Sequence, residues 1–567
     1  MKAEYDVIVI GGGITGLATG AYLAKTGLKV AIFEANNEVG QYCGTDEVMR
    51  PGVRCNLHAS ALLPHMSQCY EDLEMERFGY EPCMGEWGYF YPTLDGTCCL
   101  MHNYDNSKTY EAWKLLNKHD AEVFRQIANY FSECYQDFYE SLFGAVPNLQ
   151  NFGKAVEIFL KCPGIPTDAM HLSAVQIADK LFEDERIKLA ILSYMTDTSV
   201  HPWIKGISSM VIIPMILGGT MMNMMTTARG GSHLLPHSLL RCFTHYGGEV
   251  FQSCAVERII VENGEAKGVE LAEDSVYGPR QVMGKVTVSN VGGKITFLDM
   301  VGPQHLPWQA VLDLNMIDND VSGLHTVLWL LNEPLEFKCF DWTDKYVDPR
   351  IRKEIYQFNY GVEKVADISR LLLLETRGEL PDPPIGWGGS LRYTMIDSTQ
   401  APPGMHTVLA WANVSLNMRL WRGKKYNGAE AWDEIREPYS DAMEDSLAQY
   451  APNIKTAKVE RYSYSVLDCV RRNPTRVMGL TPHTPNYFYH NRPFPHCGAP
   501  RTPIKRLYTT DFVSSPGTWL FQPSPVADVV REDLDAPKPS WWKSKQVEPF
   551  IRMLERRWGR KWKMKVD

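Results

Sequence analysis

The thirty residues DVIVIGGGITGLATGAYLAKTGLKVAIFEA, Asp6–Ala35, constrain this chain more than any others. Asp6–Ile10 is a β-branched, nearly continuous apolar run, as a buried parallel strand requires. Gly11, Gly13 and Gly16 follow as G-x-G-x-x-G. The first permits a sharp turn, the second lets a pyrophosphate approach the backbone, and the third lets helix and strand pack closely. The pattern predicts a helix over Leu17–Lys25, a stop at Gly27 and a second strand over Lys29–Phe33. The start of that helix offers unpaired N–H groups and a positive dipole end to the pyrophosphate. Glu34, closing the second strand, is placed to accept a hydrogen bond from a ribose hydroxyl, and its charge makes NADP the least suited nucleotide. A lone G-x-G-x-x-G is weak evidence, but here the strand, the helix and the acid all stand around it.

Whether the ligand is NAD or FAD depends on the rest of the chain. The segment after the acid, VGQYCGTDEVMRPGVRCNLHAS, carries Gly40, Gly44 and Thr45 and a turn at Pro51-Gly52, which suits a longer ligand lying across the domain. Near the other end, IKRLYTTDF reads as a strand and SPVADVVRED as a helix, with Ser524 as N-cap, Pro525 as first helical residue and Asp528 in the early turns. A helix start aimed at a flavin would stabilise the negative charge that builds on its reduction.

Together these stretches resemble the FAD-dependent oxidoreductases of the phytoene desaturase and carotenoid isomerase type, nearest the pyridine nucleotide-disulphide oxidoreductase domain-containing protein 2 group. Further matching stretches are ARGGSHLLPHSLLRCFTHYGGEVFQSCAVERIIVENGEAKGVEL, KVTVSNVGGKITFLDMVG and HNRPFPHCGAPRTPIKRLYTTDFVSSPGTW. The resemblance covers the cofactor-binding segments well and the substrate-facing ones poorly. It implies FAD as the cofactor. Gly11, Gly13, Ile14, Thr15, Gly16, Glu34 and Ala35 would bind adenosine and pyrophosphate. Thr45 would lie beside the flavin, and Val256 on the strand that pairs its backbone with adenine. Asp511, Thr518, Trp519 and Val526 would form the closing motif. Two departures stand out: Gly40-Gln41 replaces a pair of glycines, and Pro516-Gly517-Thr518-Trp519 follows Asp511 where the family is glycine-rich. Larger side chains there reshape the pocket over the flavin and argue against carotenoid-like substrates.

The expected fold class is therefore α/β: a discontinuous Rossmann-like FAD-binding domain (1–75, 225–305 and 455–535) with an inserted α+β substrate domain (76–224 and 306–454). Of the inserts, 76–224 reads as mostly helical, DAEVFRQIANYFSECYQDFYESLF above all. Strands at Glu249–Gln252, Ala255–Val261, Lys267–Leu271 and Lys285–Ser289, with the ENGE turn at Glu262–Glu265, read as an antiparallel ribbon. At 567 residues, 44% of them apolar, the chain can fill two or three folding units. A net charge of −9 gives no reason to expect nucleic acid. Nothing before Asp6 resembles a signal peptide, and MVIIPMILGG is too short and proline-broken to span a bilayer. The 13 cysteines show no C-x-x-C and no zinc spacing, so reduced thiols in a cytoplasmic protein are expected, with no metal; Cys98-Cys99 reads as packing.

Residues 536–567 form a tail of a different kind. From Trp541 it holds nine Lys/Arg against three acids, and Val547, Phe550, Ile551, Leu554 and Trp558 fall on one helical face. Such a helix fits a peripheral membrane contact, or packing on its own domain or on a second copy of the chain.

LGGT, RGGS and VGGK lack a strand–turn–helix context, so a second nucleotide domain is not expected, and electrons would leave FAD to oxygen, a quinone or another carrier. The expected activity is dehydrogenation or desaturation of a hydrophobic substrate, cyclic ones included. Such a reaction sends a hydride to the flavin and can require a base for the accompanying proton. The candidates are His58, His483 and Tyr489. Six methionines between Met210 and Met225 suit an apolar tunnel as well as plain core. The rival readings are an amine oxidase, a redox-neutral FAD-dependent isomerase or hydratase, and a non-catalytic FAD-binding interaction protein.

Overall fold

The structure is a computed structural model that describes all residues except 3, 142–148, 198–201, 222–225, 317–322, 474–499 and 511–519. His483, Tyr489, Asp511, Thr518 and Trp519 therefore lie outside the described residues. Strand β1 (Glu4–Ile10), helix α1 (Ile14–Lys25) and strand β2 (Val30–Phe33) form the unit expected from the glycine pattern. β1 pairs in parallel with β2 on one side and with the strand Arg280–Ser289 on the other. Beyond these, β2 pairs in parallel with Glu249–Phe251, and Arg280–Ser289 pairs in parallel with Leu507–Thr509. β1 and β2 are almost wholly buried, which their continuous apolar sequence demands of strands covered on both faces.

The hairpin of Val256–Glu262 and Glu265–Leu271 completes this first sheet. Its two-residue turn, Asn263-Gly264, has positive φ at both positions, the backbone that matches the twist of a tight hairpin.

A second seven-stranded sheet has the order Lys458–Tyr464, Gly323–Leu331, His406–Val414, Gly386–Arg392, Gln357–Tyr360, Trp87–Pro92 and Cys98–His102. Two expectations change here. The strand Lys458–Tyr464 falls within 455–535 but pairs with Gly323–Leu331, so it belongs to the second sheet. The stretch 76–224 is helical over much of its length, including Lys118–Tyr139, yet it also contributes Trp87–Pro92 and Cys98–His102. These two strands are buried along their whole length, which removes the alternation by which a strand is recognised. Cys98 and Cys99 are both buried there. Met210, Met215 and Met221 pack in the large core beside the second sheet.

The tail folds back on the protein. Helix Glu548–Trp558 buries Phe550, Met553 and Leu554, with Val547 buried at its start and Ile551 and Trp558 packed at the edge of the same core. Trp542 lies 4.6 Å from Tyr22 of α1, ring centre to ring centre. The basic face meets a ladder of acids at five-residue spacing: Arg552 pairs with Glu71, Arg556 with Glu76, Arg557 with Glu81 and Arg560 with Glu86. The apolar face thus covers the chain's own core rather than a bilayer. Among the described residues no helix is long and apolar enough to cross a membrane.

Candidate functional site

The cleft at the C-terminal end of β1 is built around the glycine turn. A Cβ on Gly16 would stand 2.4 Å from the Gly11 carbonyl oxygen, so only glycine lets α1 approach the strand this closely. Gly13 is the N-cap of α1, with no side-chain cap and no acid in the first turn. The opening amides of the helix are left for an external anion.

Glu34 is 7% exposed, and both its carboxylate oxygens hold the rim of the cleft. Oε2 accepts from the Gly12 amide at 2.7 Å, and Oε1 accepts from the Asn36 amide at 2.8 Å and its Nδ2 at 2.9 Å. Oε2, with one bond, keeps a lone pair to accept from a ribose hydroxyl. The backbone of Glu34 also bonds to Phe251 and Cys254, which holds Val256, two residues on, near the end of β2.

Asn290 was not singled out by sequence reasoning. It follows the strand Arg280–Ser289, and its Oδ1 accepts from the hydroxyls of Thr15 and Thr510, the latter at 2.6 Å. One side chain thereby ties α1 to the strand Leu507–Thr509. Only the fold could reveal it, because the partners lie 275 and 220 residues away.

Thr45 is fixed by a polar network. Its hydroxyl donates to Asn56 Oδ1 at 2.7 Å and accepts from the His233 amide at 3.2 Å. Asn56 Oδ1 also accepts from the Ser232 amide, and Asn56 Nδ2 donates to Gln400. RGGS, Arg229–Ser232, therefore seats the Thr45 loop. Gly231 has φ +124°, and a Cβ there would meet the Thr45 hydroxyl at 2.6 Å. The Ser232 hydroxyl and His233 Nδ1 are buried without partners among the described residues.

The C-terminal helix runs Pro523–Asp533, with Gln522 rather than Ser524 as N-cap and Pro523 as its first residue. Ser524 sits inside the first turn, and its hydroxyl accepts from Trp542 Nε1 at 2.7 Å. Val526 is buried on this helix.

His58 is buried between two tyrosine rings, with Tyr42 at 4.5 Å and Tyr464 at 5.1 Å, and its Nε2 bonds the Tyr464 hydroxyl at 3.2 Å. Burial, helped by the positive charge of Arg472, lowers its pKa to about 3. The ring is uncharged at neutral pH and a poor proton acceptor there, since an effective base has a pKa near the working pH.

The uncapped helix start, the engaged acid and the unpartnered polar atoms beside Thr45 fit a dinucleotide with an extended second half. Comparisons with known proteins agree. Residues 9–73 match the family described as NAD(P)-binding Rossmann-like domain. The chain is similar to a limonene dehydrogenase subunit from Castellaniella defragrans, 28% identical over 91% of this chain and 92% of that protein. It is 23% identical to pyridine nucleotide-disulfide oxidoreductase domain-containing protein 2 of Rattus norvegicus, over 91% of each. An oxidoreductase from Methanosarcina mazei shares the fold with a TM-score of 0.57 at 15% identity, covering 92% of this chain and 99% of that one. A putrescine oxidase variant does so at 0.56 and 15%, covering 94% and 99%. Residues 9–73 thus match a dinucleotide-binding fold, and over 91% of its length the chain is similar to proteins named as a dehydrogenase and an oxidoreductase.

Proposed function

We propose that the chain is a dehydrogenase that desaturates a carbon–carbon bond of a hydrophobic, cyclic substrate. The observation that supports this most is the end-to-end similarity to a protein named for dehydrogenating limonene. FAD, when bound, supplies the two-electron acceptor for hydride. The protein supplies position. The first turn of α1 holds the pyrophosphate, Glu34 and Val256 the adenosine, and Thr45 and Val526 flank the flavin end. Asp511, Thr518 and Trp519 are assigned to the same end, with Trp519 as a wall of the substrate pocket. The first sheet carries the cofactor, and the second carries the substrate.

His58, uncharged and hydrogen-bonded to Tyr464, acts as a positioning residue. The proton lost from the substrate is assigned to His483 or Tyr489. Electrons leave to oxygen, a quinone or another carrier, and the relative's name, which makes it one chain of a larger enzyme, supports a partner chain on that route.

The test is anaerobic titration of the purified yellow protein with limonene and with cyclohexylamine. Bleaching of the flavin band by the hydrocarbon supports the proposal. Bleaching by the amine alone replaces it with amine oxidation, and bleaching by neither points to a role outside this chemistry.

A further inference from the structure

Among the described residues, the face of the second sheet that meets the large core carries polar atoms with no hydrogen-bond partner. The Thr326 hydroxyl and Trp411 Nε1 are buried and unpartnered, and so is the Asn413 side-chain carbonyl. Thr326 pairs in register with Trp411 on one neighbouring strand and with Tyr464 on the other, so all three share a face. Asn413 lies two residues beyond Trp411 on the same strand, also on that face. Tyr464 bonds His58, and Cys469 Sγ lies 3.9 Å from His58 Nδ1 and 4.0 Å from the Leu324 carbonyl oxygen. The orphaned atoms therefore sit beside the His58 cluster.

Gly388, on the adjacent strand Gly386–Arg392, lets that strand approach these side chains closely. A Cβ on it would be 3.0 Å from the Trp411 Cβ, 3.4 Å from Asn413 Oδ1 and 3.4 Å from Leu324 Cδ2. Buried polar atoms are satisfied in native proteins, and leaving an indole N–H and an amide oxygen both unmet is costly.

We propose that this face binds the polar end of the substrate, and that the substrate carries a hydroxyl group. The inference rests on the second sheet being the substrate side, as in the function proposed above. Trp411 Nε1 can only donate and Asn413 Oδ1 can only accept. A hydroxyl answers both. A ketone oxygen leaves the amide oxygen unmet, an ammonium leaves the indole unmet, and a hydrocarbon leaves both unmet. The hydroxyl is an anchor and is not the group oxidised, and the ring it carries rests on Leu324 and the Trp411 indole.

Equilibrium binding to the FAD-loaded protein, read calorimetrically, tests this without turnover. The probes are 4-isopropylcyclohexanol, 4-isopropylcyclohexanone and isopropylcyclohexane. The alcohol should bind about tenfold tighter than the hydrocarbon, with the ketone between. Trp411→Phe, which keeps an aromatic wall and removes the donor, should weaken alcohol and ketone but not hydrocarbon. Asn413→Leu should weaken the alcohol alone. Equal binding of the three probes, or equal loss of all three in Trp411→Phe, overturns the proposal and leaves water as the partner of these atoms. The outcome is separable from the redox reading: selective alcohol binding by a protein whose flavin no substrate bleaches would keep this anchor and discard the dehydrogenase.

Discussion

Replacing Glu34 is the sharpest test of the cleft. The carboxylate, itself buried, holds three N–H groups, one from Gly12 and two from Asn36, at 2.7–2.9 Å. In Glu34→Gln one oxygen becomes an NH2 group, and the amide must turn it toward either Gly12 or Asn36. Donor then faces donor. A buried N–H left without its acceptor costs about 1–3 kcal/mol. Glutamine still offers a bound ribose one oxygen, whereas Glu34→Ala offers none. The three bonds exist with or without ligand, so that cost falls on the stability of the apoprotein. FAD affinity, read by fluorescence titration, should fall in Glu34→Gln with the charged ribose acceptor it loses, roughly 10- to 150-fold for one such bond of about 1.5–3 kcal/mol, and further in Glu34→Ala. The thermal midpoint of the apoprotein should also fall in both. Unchanged FAD affinity together with an unchanged midpoint would refute the role given to this acid.

Gly231→Ala should displace Thr45, since its Cβ would collide with the threonine hydroxyl from a backbone of positive φ; reduced FAD content after purification, with the protein still folded by circular dichroism, checks it. Acid stability should follow His58 and His325, whose burial lowers each pKa from 6.5 to about 3. Both are neutral when folded and charged when unfolded at mildly acid pH, so their contribution is whole above pH 6.5 and is lost as pH falls toward about 3. A thermal midpoint that drops less steeply over that window in His325→Gln than in the parent is the expected result. In the tail, Phe550→Ala should cost about 3–5 kcal/mol as a buried aromatic deletion. Arg556→Ala, which removes the exposed partner of Glu76, should cost about 1 kcal/mol or less. Thermal midpoints of the two variants rank them, and equal losses would mean that the charge ladder, not the apolar face, holds the tail.

Local signals in the chain were legible where the backbone itself needed particular residues. The β1–α1–β2 unit declares itself through three glycines and an acid, and the Asn263-Gly264 hairpin through its turn chemistry. Helix Lys118–Tyr139 shows in its apolar period. Strands Trp87–Pro92 and Cys98–His102 did not show, because residues buried on both faces look alike in a strand and in a core helix. Ser524 read as a cap because serine before a proline usually is one; a tryptophan 18 residues later had claimed its hydroxyl. Asn290, Trp411 and Asn413 carry no pattern at all. Their meaning comes from neighbours that the fold brings from hundreds of residues away, or from neighbours that are missing.

The seat of Asn290 between Thr15 and Thr510 also sets a timetable for biosynthesis. Chains are made N-terminal end first, at about 5–20 residues per second. The glycine turn therefore leaves the ribosome roughly half a minute to a minute and a half before the threonine that completes its surroundings. During that interval β1 and α1 wait with an unfinished apolar surface, so in the cell this protein should lean on chaperones early. FAD supply should influence its yield only after the last strand has been synthesised.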